Sequence, residues 1–157
     1  MTEYSHIIVI AASVGSSVVA GIFFAFSTFI MRALQQIPSA HGIAAMQRIN
    51  VTVLNPLFFL AFFGTGGLSL LIVYLTLTGT IESSRTLVLI ASALYVLGCL
   101  LSTIVFNVPL NNRLAELKPG EPDADSFWQF YNSRWVIWNH VRTVASLIAA
   151  VLFALAL

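Results

Sequence analysis

The chain has 157 residues, of which 59% are hydrophobic and 8% charged, with a net charge of +1. A soluble domain carries about a quarter of its residues as charges, so a water-soluble globule is excluded. The few Lys and Arg form no stripe that could track phosphates, so no nucleic-acid partner is expected.

A bilayer core of about 30 Å calls for about 20 mostly apolar residues per helix. The chain supplies that length over residues 6–30, 51–77, 86–106 and 133–157. The expected fold is an all-α integral membrane protein, a four-transmembrane-helix bundle in one polytopic domain over 1–157. The first span has an acidic leader at Glu3 without Lys or Arg and too long an apolar run for a cleavable signal, so it is expected to remain. Along it Ser13, Ser17, Gly21 and Ala25 recur every fourth residue, a small-xxx-small stripe that lets backbones approach, within the chain or in a homo-oligomer. Gly98 and Ser102 on the third span, and Ala145 and Ala149 on the fourth, repeat the device.

The first and third connections are long enough to hold short interfacial helices. His41, Met46 and Ile49 mark the first, leading into Asn50 and the Asn55-Pro56 step, where proline suits an early helical turn. The second connection, Gly79 to Ser84, reads as a tight polar turn. After Asn107 the third span meets Pro109, which removes a backbone donor and predicts an end or kink. Past the Pro119-Gly120-Glu121-Pro122 breaker, Asp125 or Ser126 is a candidate N-cap for a helix whose Trp128, Tyr131, Trp135 and Trp138 share one face. That face is either an interfacial aromatic belt or the wall of a pocket for a flat ligand.

Arg32 and Arg48 flank the first connection and Arg113, Lys118 and Arg134 the third, whereas the second has Arg85 alone. The positive-inside rule therefore puts the first and third connections in the cytoplasm and both termini outside, in a plasma or inner membrane. Ser27, Asn50, Asn55, Asn107, Asn111, Asn139, His140 and Arg142 then gather at one end of an up-down bundle. Arg142 lies roughly 10 Å beyond Trp135 at about 1.5 Å per residue, too deep for a loop residue. An arginine there costs about 2.5–3.5 kcal/mol on insertion scales, and no span holds an acid to pair with it. His140 and Arg142 point about 160° apart at about 100° per residue, so they line opposite sides of a cavity or one faces another helix.

Cys99 is the single cysteine, and the histidines are His6, His41 and His140. They offer no ligand spacing, so no resident cofactor is expected, although His41 with His140 leaves a haem or metal open.

Gly21-Ile22-Phe23-Phe24-Ala25-Phe26-Ser27, Asn50 with Asn55-Pro56, Asn107-Val108-Pro109-Leu110-Asn111 and Trp135-Val136-Ile137-Trp138-Asn139-His140-Val141-Arg142-Thr143 together resemble the anthrone oxygenase-like family of small four-span membrane proteins. The resemblance implies an oxidoreductase that uses O2 as co-substrate on a flat apolar anthrone or hydroquinone-type molecule. On that reading His140 is the candidate general base and Arg142, with Asn107, Asn111 or Asn139, stabilises the enolate oxygen. Asn50 and Asn55 complete the polar set, and Phe24, Phe26, Trp135 and Trp138 wall the rings. The alternative is a non-catalytic quinone- or lipid-binding module, or a subunit of a larger membrane complex.

Overall fold

A computed structural model describes residues 3–81 and 84–157, so part of the second connection lies outside the described residues. Four helices are long and apolar enough to cross a membrane: α1 (Glu3–Gln35), α3 (Pro56–Leu77), α4 (Arg85–Ala115) and α5 (Pro122–Leu155). Between α1 and α3 lies α2 (Ser39–Thr52), and no strand occurs among the described residues. The chain is an integral membrane protein built as a four-helix bundle. Each span packs on its neighbour in sequence, and α1 closes the ring against α5.

Lipid supplies no hydrophobic drive between helices, so close contact must come from small residues. The buried face of α1 runs through Val9, Ala12, Ser16, Val19, Ala20 and Phe23. Ser13, at its edge, donates to the Ala150 carbonyl of α5 at 3.0 Å, whereas Ser17 and Gly21 are exposed. A Cβ on Gly98 would come within 2.6 Å of the Ala145 Cβ, so α4 and α5 approach to a distance that only glycine permits.

Helix ends follow local chemistry. Asn55 caps α3, its Oδ1 accepting from Phe58 N at 3.0 Å with Pro56 in the first turn, so the second span begins at Pro56 and not at 51. At the other end Gly79, at φ 80°, lets Thr80 N reach the Leu75 carbonyl at 2.9 Å and closes the helix in a Schellman pattern.

The sequence expectations place three further boundaries differently from the structure. The first span continues to Gln35, because its polar last turns are held by protein contacts rather than by lipid. The fourth starts at Pro122, capped by an extended Glu121 instead of Asp125 or Ser126, because proline at the first position forfeits only an N–H that has no helical partner anyway. Pro109 does not end the third span. A π-helical stretch, Thr103–Asn107, precedes it, and the helix runs on to Ala115. Such local adjustment is how membrane helices accommodate proline. The helical parts of the third connection thus extend α4 and α5.

These extensions build a second core beyond the bundle. Met31 of α1, Ile43 and Met46 of α2, Leu114 of α4, and Trp128 and Tyr131 of α5 are buried together. Gln47 ties α2 down by donating to the Leu114 and Leu117 carbonyls at 2.8 and 2.9 Å, filling acceptors that the end of α4 leaves open.

Replacing Gly98 by Val forces α4 away from Ala145. The expected loss is about 1–3 kcal/mol of stability, read as a lower thermal midpoint in detergent; an unchanged midpoint would show that the contact is not tight.

Candidate functional site

Where the bundle meets the second core, Arg142 is 3% exposed. Its Nη2 donates to Asn139 Oδ1 at 2.8 Å and its Nη1 to Thr103 Oγ1 at 3.4 Å. Nε has no hydrogen-bond partner among the described residues. The guanidinium carbon lies 4.1 Å from the Phe23 ring centroid and 5.0 Å from that of Trp135. Aromatic faces attract a cation but carry no charge, so Arg142 is solvated by a neutral amide, a hydroxyl and two rings. The salt bridges among the described residues, Arg113–Glu116 and Lys118–Glu121, both lie on the exposed third connection.

Asn139 fixes that geometry. It is fully buried, and its Nδ2 donates to the Phe23 carbonyl and to Ser27 Oγ, each at 2.7 Å, while Oδ1 accepts from Arg142. Ser27 lies in a π-helical turn, Phe26–Ile30, and also bonds Thr143 Oγ1 at 3.0 Å. Asn139 therefore holds the guanidinium in place and has no donor left to offer a ligand.

Beside Arg142 is a cavity of about 110 Å³. From α1 it takes Ile22, Phe23 and Phe26, from α2 Met46, Ile49 and Asn50, and from α4 and α5 Thr103, Asn111, Trp135 and Arg142. Of the residues that line it, Arg142 has a buried Nε with no hydrogen-bond partner among the described residues. Asn111 Oδ1 accepts from Tyr131 Oη at 2.8 Å and Trp135 Nε1 at 2.9 Å, which pins the aromatic wall.

The structure thus brings Arg142, Asn50, Asn111, Trp135 and Phe26 to one cavity, with Asn139 behind them. Asn107 is buried next to them, donating to the Trp135 carbonyl at 3.2 Å, but does not line the cavity. Asn55 is occupied as a helix cap, with its Nδ2 on the Thr52 carbonyl at 3.1 Å. Phe24 is exposed, and Trp138 stacks on Phe106 outside the cavity. His140 is exposed too, lining two outer grooves beside α1 and α4. Of the two readings of the α5 aromatic face, the belt does not hold for Trp128, Tyr131 and Trp135. They are buried and stacked in series because α2 covers them.

Residues 58–152 match the family described as anthrone oxygenase. The chain belongs to the anthrone oxygenase family. No curated protein and no solved structure is significantly similar to it. The family match covers Arg142, Asn139, Asn107, Asn111 and Trp135, whereas the cavity wall from α1 and α2 lies before the matched residues. Phe23 and Thr103, which touch the guanidinium, were not singled out from the sequence. The signal for Thr103 is its place one turn before Asn107; for Phe23 it is the buried phase of Ala12, Ser16 and Val19. In this anthrone oxygenase family member no group of three or more His, Cys, Asp or Glu among the described residues could hold a metal ion.

An unpaired buried cation costs stability unless something binds it. Arg142→Met should therefore leave the thermal midpoint of the unliganded protein equal or higher, while Asn139→Leu lowers it by removing the main partner of the guanidinium. A fall for Arg142→Met as large as that for Asn139→Leu would show that the arginine is mainly a structural element.

Proposed function

We propose that the protein is a membrane oxygenase in which Arg142 stabilises the anion of a flat apolar anthrone or hydroquinone-type substrate during oxidation by O2. The supporting observation is a buried guanidinium without a carboxylate, with no hydrogen-bond partner for its Nε–H among the described residues, on a residue that lines an aromatic cavity. A preorganised donor in a low-dielectric site stabilises developing negative charge far better than water-exposed donors do. The family membership supports the same chemistry.

The steps follow from the substrate. An anthrone loses a methylene proton to water, and the negative charge settles on its ketone oxygen, which Arg142 holds. The carbanionic carbon reduces O2 and forms a C–O bond as a peroxide, which takes up a proton. Loss of the second C–H with cleavage of the O–O bond leaves a carbonyl and releases water. Overall, one CH2 and one O2 become one C=O and one H2O. Phe26 and Trp135, 5.5 Å apart and tilted by 60°, wall the rings. His140, facing the outer grooves, takes no part in the proton transfer.

Orientation belongs to the same proposal. With Arg32, Arg48, Arg113, Lys118 and Arg134 at one end, that end is cytoplasmic and the termini face outward, so the cavity opens near the cytoplasmic leaflet.

Oxygen uptake by the detergent-purified protein with a simple anthrone, corrected for autoxidation, tests the reading. The wild type should accelerate uptake, Arg142→Met should lose about a hundredfold or more, and His140→Ala should keep most of the rate. Wild-type rates in Arg142→Met would overturn the proposal. Tight binding of a quinone without any acceleration would favour the binding-module alternative.

A further inference from the structure

The inner cavity, about 110 Å³, is smaller than the roughly 300–1,000 Å³ typical of small-molecule sites. It is not alone. A second groove of about 280 Å³ adjoins it on the outer surface. Ile22, Val53 and Phe58 line both. They form a constriction between α1 and the corner where α2 ends and α3 begins. Leu57, at the outer groove, is 79% exposed, and Leu54, at the inner one, is 61% exposed. Such apolar exposure at the start of a span faces acyl chains, not water.

Phe58 is also the first member of an aromatic series that ends at the guanidinium. It stacks on Phe62 at 5.4 Å and 11°, Phe62 meets Phe23 edge-on at 6.2 Å, and Phe23 lies under Arg142. The cap at Asn55 fixes the corner and hence the position of Phe58, whose N–H it holds.

We infer that the substrate reaches Arg142 sideways from the bilayer and, once bound, straddles Ile22, Val53 and Phe58, so the site takes aromatic ketones or quinols with an apolar tail on the ring remote from the anionic oxygen. The inference rests on Arg142 as the anion site. A fused-ring molecule that places its oxygen at the Arg142 side chain fills the inner cavity with one ring and extends its far ring through the constriction. A tail on that far ring lies in lipid and costs nothing; a tail beside the oxygen meets Thr103, Asn111 and Trp135 and has no room.

The test uses the full chain in lipid nanodiscs, with hydroxyanthraquinone probes read by quenching of tryptophan fluorescence. A probe with a long alkyl chain on the ring remote from its hydroxyl should bind at least as tightly as the parent. One with the chain next to the hydroxyl should bind at least tenfold more weakly. Val53→Cys, labelled with an apolar maleimide while native Cys99 stays buried, should also lose at least tenfold. Labelled Ala44→Cys, exposed on α2 away from the groove, should not. Undiminished binding to labelled Val53→Cys, or equal affinity for both tailed probes, overturns the lateral portal. Affinity that is the same in Arg142→Met would instead overturn the anion site, so the two failures are told apart.

Discussion

A guanidinium held in the protein interior without a counter-charge is the constraint on which the rest of this structure depends. A buried cation left unsolvated is costly, and several features serve that one group. Asn139, anchored by its Nδ2 to the Phe23 carbonyl and Ser27, turns its Oδ1 to it, Phe23 and Trp135 offer their faces, and Thr103 contributes a weak fourth contact. Among the described residues its Nε–H has no hydrogen-bond partner, and on the proposed function the anion of the substrate offsets the charge that the protein leaves unpaired.

Deviations from regular helix help to assemble this environment. π-helical turns occur in α1, α3 and α4, at Phe26–Ile30, Leu60–Gly64, Leu94–Leu101 and Thr103–Asn107. Each widens the helix and shifts the phase of the side chains beyond it, and such turns are often found at functional sites. In α1 the turn aims Ser27 at Asn139 and Thr143. In α4 it lets the helix pass Pro109 with Asn107 still buried against α5. The second core then closes the site from the polar end, because α2, tied by Gln47 to the end of α4, covers Tyr131 and Trp135.

The spans, the bundle and the early-turn place of Pro56 were legible in the sequence because hydropathy and proline placement act locally, whereas the capping role of Asn55, read as a ligand contact, was not. Arg142 was legible too, since a cation that deep without an acid is conspicuous in any apolar run. The true helix ends were not, because Gln35 and Pro122 lie in amphipathic turns held by tertiary contacts that hydropathy does not register. Nor was the choice among Phe23, Phe24 and Phe26: a single residue of phase decides which ring faces inward. The angular arithmetic that separates His140 from Arg142 was legible, and the structure shows its consequence in an imidazole at the outer grooves and a guanidinium inside.

Spectral titration of a bound hydroxyanthraquinone, whose anion absorbs at longer wavelength than its neutral form, tests the central claim most directly. The account predicts a midpoint at least about one pH unit lower in the wild type than in Arg142→Met, equivalent to about 1.4 kcal/mol of preference for the anion. Identical midpoints in the two proteins would contradict it, because the guanidinium would then give the anion no advantage.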